Sequence, residues 1–290
     1  MVADRAGSLD RELAGIDALD IPRTEPTRRL IRIWAVLWPK LMAVSIVLGL
    51  WQVLVWSGIK PSYVIPSPAT VFTELGRNLT TALFWGALST TLQRGAIGFG
   101  LALLIGTALG MSIAESTIMR RAVGSAITGL QSMPSITWFP FAVLLFGITD
   151  TAILFVVVLG AAPSIANGLI AGVDQIPPLL LRAGKVLGAR GIAAYRHVIL
   201  PAALPTFVAG LKQGWAFAWR SLMAGELLVI IVARPSIGTR LAYARDFSDA
   251  PGLLAMMIVV LTIGITVDGL VFGTVERAIR RRRGLDAIHL

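Results

Sequence analysis

Six long apolar runs constrain this chain more than anything else in it. They lie at about Trp34 to Trp56, Leu88 to Ile113, Ala122 to Gly147, Thr151 to Val173, Ala203 to Val232 and Leu253 to Thr274. A helix needs about 20 predominantly apolar residues to cross the hydrocarbon of a bilayer, and each run supplies them. Only 14% of the residues are charged and 56% are hydrophobic, with a mean hydropathy of +0.77. A soluble domain carries roughly 25% charged residues. The fold class read from this is all-α: a polytopic membrane protein with six transmembrane helices.

Charge fixes the expected orientation. Arg28, Arg29 and Arg32 precede the first run, and Arg120 and Arg121 separate the second from the third. A basic loop separates the fourth from the fifth, and Arg277 with Arg280 to Arg283 follows the sixth. With six spans all these clusters fall on one side, which is then cytoplasmic. The net charge of +10 is therefore a topology signal and not a nucleic-acid footprint. The expected organisation is a polar cytoplasmic tail over 1–33, partly disordered with room for one short helix, a transmembrane domain over 34–274, and a basic cytoplasmic tail over 275–290. No apolar core follows a short basic start, so no cleaved signal peptide is expected. Trp34, Trp38, Trp51 and Trp56 flank the first run as interfacial aromatics do. Ser67 and Pro68 can open a short helix through Gly76 on the far side. Four small-residue pairs, Gly106/Gly110, Gly168/Gly172, Gly210/Gly214 and Gly269/Gly273, suit close helix contact.

Several kinds of chemistry are excluded. The chain has no cysteine and only two histidines, so thiol catalysis, disulfides and a Cys- or His-based metal site have no residues to work with. It has no phosphate-binding G-x-x-x-x-G-K-[ST] loop, no H-E-x-x-H and no G-x-S-x-G. No catalytic residue and no bound cofactor or metal is expected. What remains is a pathway.

Two features point to one. Gln131, Met133, Pro134 and Trp138 lie in the third run, which Pro134 and Pro140 interrupt. A broken helix at membrane depth is tolerated where it is buried in protein or lines a cavity, so a packed kink and a pathway wall both remain open. The second feature is Trp219 and Arg220 with Glu226 in the fifth run. An intramembrane guanidinium costs about 2.5–3.5 kcal/mol on insertion scales and needs either a carboxylate or an anionic substrate. Arg220 and Glu226 are six residues apart and do not share a helix face, which leaves an ion pair across helices or a substrate role. Gln93, Arg94 and Asp268 read as end-of-helix or packing residues.

The longest polar island between the runs is the loop of 174–201. Pro177 and Pro178 open a helix, Leu180, Ala183, Gly184 and Leu187 recur at helical spacing, Gly188 and Gly191 break it, and Pro201 closes a second short run. Such a segment can present a helix to the groove of a soluble partner.

The spacing Arg182-Ala183-Gly184, Gly188, Val198 and Leu200-Pro201 resembles the EAA loop of binding-protein-dependent ABC importer permeases, with Arg182 in place of the opening Glu and Gly184 in place of the second Ala. Met133-Pro134, Trp138, Pro140, Phe146-Gly147, Ala162-Pro163 with Asn167, and Trp219 to Glu226-Leu227-Leu228 with Ile237-Gly238 are similar to the nitrate, sulfonate and taurine branch. The similarity covers roughly residues 65–283. It implies a type I importer permease, homodimeric in the cell membrane, working with two cytoplasmic ATPase subunits that hold ATP and magnesium and with an extracytoplasmic binding protein. It implies that Arg182, Ala183, Gly184, Gly188, Ala189, Leu200 and Pro201 contact the ATPase. The substrate it implies is a small anion, aliphatic sulfonate or taurine ahead of nitrate or bicarbonate. The rival reading is a secondary transporter or channel driven by an ion gradient, which would need intramembrane carboxylates; Glu226 and Asp268 are the candidates.

Overall fold

The computed structural model describes residues 26–282. Two units make up the chain, the first ending at Ile59 and the second beginning at Lys60. The described part of the first unit centres on one helix, α1 (Pro26–Trp56), whose stretch Leu37–Trp56 is apolar enough to span a bilayer. This helix begins inside what the sequence suggested was a tail, and it carries Pro39 internally. The rest of that tail lies outside the described residues, as do positions 283–290.

The second unit opens with α2 (Pro68–Leu79), where Ser67 caps the helix by accepting the Thr70 N–H at 3.3 Å. It continues through α3 (Ala82–Glu115), α4 (Thr117–Ser132), α5 (Phe139–Phe146), α6 (Asp150–Asp174) and α7 (Pro178–Val186). The chain ends in α8 (Leu200–Leu228), α9 (Ile237–Asp246), α10 (Ala250–Val267) and α11 (Gly273–Arg282). Helices α3, α6 and α8 pack together as the core, with Ile153, Val156, Val157, Ile165 and Leu222 fully buried between them.

Glycine sets how closely these helices approach. A Cβ on Gly168 would lie 2.5 Å from the Gly210 Cα, and one on Gly106 would lie 2.7 Å from the Ala162 carbonyl oxygen. In lipid no hydrophobic force draws helices together, so close van der Waals contact must do it. Three of the four small-residue pairs serve in this way. The fourth does not: a Cβ on Gly269 would meet nothing within 4 Å, because that glycine falls in the π-helical turn Asp268–Phe272 that leads α10 into α11.

One further expectation needs correction, at Pro201. The third run, which the two prolines mark as interrupted, is broken. The segment Ser135–Phe146 is bent by 101° from α4, with a 3₁₀ turn at Ser135–Trp138 after Pro134. Proline lacks an N–H and its ring clashes with the carbonyl four residues back, so the helix breaks there and restarts with Pro140 in its first turn. Among the described residues, five helices are long and apolar enough to cross a membrane, or six if the bent pair is one span.

Pro201 does not close the loop. Helix continues from Ile192 through Leu228, and a π-helical turn at Tyr195–Ile199 absorbs the proline, with the Leu200 N–H donating to the Tyr195 carbonyl five residues back. The wider turn relieves the clash that an α-helix would impose.

Candidate functional site: a groove lined by an arginine, and a buried ion cluster

Two sets of ion pairs mark the ends of the bundle. At the end bearing the basic loop, Arg120 makes two hydrogen bonds to the Asp174 carboxylate at 2.8 and 2.9 Å. At the opposite end, α3, α6 and α8 are joined by a charged cluster centred on Arg94. Its guanidinium donates to Glu226 Oε1 at 3.0 Å and to Asp150 Oδ1 at 2.8 Å. Arg234 pairs with the same Asp150.

Glu226 is fully buried, and its other oxygen is also satisfied. Oε2 accepts from Thr91 Oγ1 at 2.9 Å and from the Gly238 N–H at 3.0 Å, while the Ile237 N–H donates to Thr91 Oγ1 at 3.0 Å. Ile237 and Gly238 are the first residues of α9, so the carboxylate sits against the positive end of that helix. A Cβ on Gly238 would lie 2.3 Å from the Glu226 Cβ, so glycine is what lets the helix end approach. Ser236 completes the start of α9 by accepting the Thr239 N–H at 3.2 Å. Beside this cluster, burial pushes the Arg240 guanidinium below its ordinary range against the opposing field of Glu74, and Arg240 donates to Asn78.

Arg94 read as a packing residue in the sequence, and Glu226 as part of the pathway. The structure pairs the two across helices, the alternative the sequence left open for Glu226. Arg94 is the buried centre of the cluster and Glu226 its main partner, so Glu226 does not line the groove described next. Its burial goes with the three hydrogen bonds it accepts, from Arg94, Thr91 and Gly238, since a carboxylate at that depth needs partners.

The groove lies between the α4–α5 break, α6 and α8, with a volume of about 400 Å³. Gln131, Met133, Pro134 and Trp138 line it from the break, Gly160 from α6, and Phe217 and Arg220 from α8. The structure thus brings together five of the residues the sequence singled out for a pathway: Gln131, Met133, Pro134, Trp138 and Arg220. Trp219 is not among them. It faces the other way, stacked on Trp215 with ring centroids 5.9 Å apart, and borders a second cavity toward α10 together with Lys212 and Asp268.

Arg220 has no salt bridge among the described residues. Its guanidinium lies over the Phe217 ring at 5.5 Å from the centroid, a cation–π contact that holds the side chain without neutralising it. No carboxylate lines the groove. An acceptor entering it would meet one fixed positive charge and no opposing negative one. The other intramembrane candidate, Asp268, pairs with Lys212 at 3.2 Å.

In the basic loop, Gly184 is buried against Val198, whose Cγ2 would be 2.9 Å from a Cβ there. The expectation that Gly184 presents a face to a partner therefore fails, since that face is used inside the loop. Gly188 has φ +84° and ends α7 in a Schellman arrangement: its N–H donates to the Lys185 carbonyl and the Ala189 N–H to the Gly184 carbonyl, at 3.1 and 2.9 Å. Arg182 and Ala183 are exposed. The apolar side chains that project are Leu179, Val186, Leu187 and Ile192, each more than three-quarters exposed; sequence reading did not single out these four as contacts.

A broken span folded into a core of close-packed transmembrane helices, with a loop helix displayed at one end, defines a multi-pass membrane transport subunit. The profile of the binding-protein-dependent transport system inner membrane component matches residues 102–281, more than half of the chain. The chain belongs to that family, the permease subunits of ABC importers. Among its relatives are SsuC of Bacillus subtilis strain 168, named as an aliphatic sulfonates transport permease, 25% identical over 93% of this chain and 94% of that protein. The taurine transport system permease protein TauC of Escherichia coli K12 is 28% identical over 80% of this chain and 83% of its own. The nitrate import permease protein NrtB of Leptolyngbya laminosa is 27% identical over 80% of this chain and 84% of its own. The fold is also that of the membrane subunit of the MetNI methionine ABC transporter in an inward-facing form, with a TM-score of 0.58 and 20% identity over 68% of this chain and 96% of that one.

Proposed function

We propose that this permease passes a small anion, aliphatic sulfonate or taurine ahead of nitrate or bicarbonate, along the groove that Arg220 lines. The observation that carries the reading is a guanidinium with no carboxylate partner in a groove with no carboxylate at all. A guanidinium offers forked donors that match a sulfonate, nitrate or carboxylate. The relatives named for sulfonates, taurine and nitrate support the same class.

In this reading two copies of the chain form the path in the cell membrane, with both termini cytoplasmic. An extracytoplasmic binding protein delivers the anion, and two ATPase subunits, which hold ATP and magnesium, dock on the basic loop. The exposed Leu179, Val186, Leu187 and Ile192 offer the apolar contact, and Arg182 and Gly188 flank or shape it. The rival, a transporter driven by an ion gradient, needs a carboxylate free to couple an ion. Glu226 is held by Arg94 and Asp268 by Lys212, which supports the importer.

The test is uptake of labelled taurine and of nitrate by the assembled importer, beside complex yield. Arg220→Lys should retain part of the uptake and Arg220→Met should lose it, with the complex intact. Full uptake by the Met variant would remove the anion role. Leu187→Asp should release the ATPase while the permease still inserts. Because the chain has no cysteine, a thiol at Ser248 should react with an impermeant reagent in intact cells, and one at Ser8 or Ile288 should not.

A further inference from the structure

Two hydrogen bonds reach the groove from behind, and both run in the same sense. Asn167 in α6 donates from Nδ2 to the Gln131 Oε1 at 2.7 Å. Ser221 in α8 donates from Oγ to the Ser135 Oγ at 2.7 Å. Ser221 is fully buried, and the space for this contact comes from Gly160, where a Cβ would lie 2.6 Å from the Ser221 oxygen.

The sense of each bond decides what is left over. Gln131 has an acceptor and two donors in its amide; with Oε1 occupied by Asn167, the amide nitrogen is what remains for the groove. Ser135 has accepted a proton from Ser221, so its own O–H remains to donate. Ser132, the remaining hydroxyl in the lining, donates back to the Gly129 carbonyl of its own helix at 2.7 Å. The Trp138 indole, a donor only, lines the same groove and makes no hydrogen bond among the described residues.

We infer that Asn167 and Ser221 are positioning residues that set the polarity of the groove: they draw the Gln131 and Ser135 oxygens to the back, so that the Gln131 amide nitrogen and the Ser135 hydroxyl proton, with Arg220 and Trp138, are left to donate to an anion. The inference rests on the anion reading above and extends it from one charge to an oriented set. It accounts for the Gln131 amide and the Ser135 hydroxyl, which could serve either sign of ligand, beside a lone guanidinium. A groove meant for a cation or a zwitterion's ammonium would need those oxygens turned inward. The two contacts also pin the broken segment at two points, Gln131 before Pro134 and Ser135 after it, so that the orientation survives where the helix ladder does not.

The absence of cysteine gives a direct probe. In the assembled complex, a thiol placed by Met133→Cys, a groove position that is 47% exposed, is reacted with sulfonatoethyl methanethiosulfonate and with its trimethylammonioethyl counterpart. The ratio of the two rate constants reads the polarity of the groove with a sulfonate as the probe. It should favour the anionic reagent. Asn167→Asp cannot donate, so Gln131 must turn its oxygen to the groove, and the ratio should fall about tenfold, the scale of one hydrogen bond to a charged group. The added charge alone could repel the reagent, and a double-mutant cycle separates the two causes. In a Gln131→Met background the Asp substitution should change the ratio little if Asn167 acts through Gln131. An equal fall in both backgrounds would overturn the inference, as would no fall in the first. Ser221→Ala should lower the ratio and Ser221→Thr restore it. Should the Asp variant fail to accumulate, Asn167→Leu removes the donor without adding charge, and an unchanged ratio there would equally sink the idea. Failure of taurine or nitrate uptake by the unmodified complex would count against the proposed substrate class, while leaving this ratio to stand or fall separately.

Discussion

Arg94 and Arg220 are both guanidiniums set in membrane-spanning helices, and the protein treats them in opposite ways. Arg94 is 3% exposed, donates to two carboxylates and holds together three helices and the start of a fourth. Arg220 stands in a groove that no carboxylate lines, rests on an aromatic ring and forms no salt bridge among the described residues. A charge buried with its counter-charge is a structural joint, because removing either partner strands the other in a medium that cannot solvate it. A charge left without a counter-ion at a cavity wall is available to something that is not part of the chain. The comparison assigns stability to the first and passage to the second.

The largest effect expected from this contrast is on Arg94. Arg94→Met leaves Glu226 buried without its cationic partner beside Thr91 and the α9 start, at a cost of about 3–5 kcal/mol, and should be read as a sharp loss of thermal stability of the purified permease in detergent. If the cost is that of a stranded carboxylate, Arg94→Met with Glu226→Leu should recover much of it; failure to recover would show the packing, not the charge, to be what matters.

A smaller loss should follow Glu226→Gln. Arg94 keeps Asp150, and the amide still accepts from Thr91 or Gly238, so about 2 kcal/mol is expected, the scale of a hydrogen bond to a charged group. Amide hydrogen exchange in α9 should quicken in this variant before the rest of the bundle responds. Exchange that quickens evenly throughout would show that the cluster does not anchor α9 specifically.

Ser236→Ala removes the cap of the same helix and should cost about 1 kcal/mol, again confined to α9. Uptake should be nearly normal, since the groove is untouched. A loss of uptake as deep as that of an Arg220 variant would join the two regions that the comparison separates.

The smallest stability change belongs to Arg220. Arg220→Met breaks no ion pair, and thermal stability should move by no more than about 0.5 kcal/mol, as for substitutions away from buried networks, while uptake is lost. A variant that unfolds like Arg94→Met would erase the distinction.

Much of the architecture was readable in advance, because spanning a bilayer leaves so few options. Run length and the absence of charge demand helices at six places, and the proline pair Pro134 and Pro140 marks where one must break. Ser67-Pro68 announces α2, though the helix runs on past Gly76, where the sequence reading stopped it, to Leu79. The loop spacing from Arg182 to Leu200-Pro201 identifies the family. Among the pathway candidates, those clustered in one stretch, Gln131 to Trp138, were found together because neighbours in a break share a cavity wall.

Tertiary structure decided the partners of the charges. Nothing in the periodicity of the second run separates Arg94 from an end-of-helix arginine; only the packing of α3 against α8 brings Glu226, 132 residues away in sequence, within 3.0 Å of it. The same packing took Glu226 away from Arg220 and turned Trp219 toward Trp215. It also gave Gly184 to Val198 and left Leu187 exposed, the reverse of what small and large residues in a loop suggest. Ser221 had no signal at all, and Asn167 only its place in the family resemblance, since a hydrogen bond between helices follows neither period nor motif. The sequence by itself determined the helices, the break and the family, because hydropathy and proline act on the residues that carry them. Which charge is neutralised and which is left for a ligand depends on distances between segments far apart in the chain, and those exist only once the helices have packed.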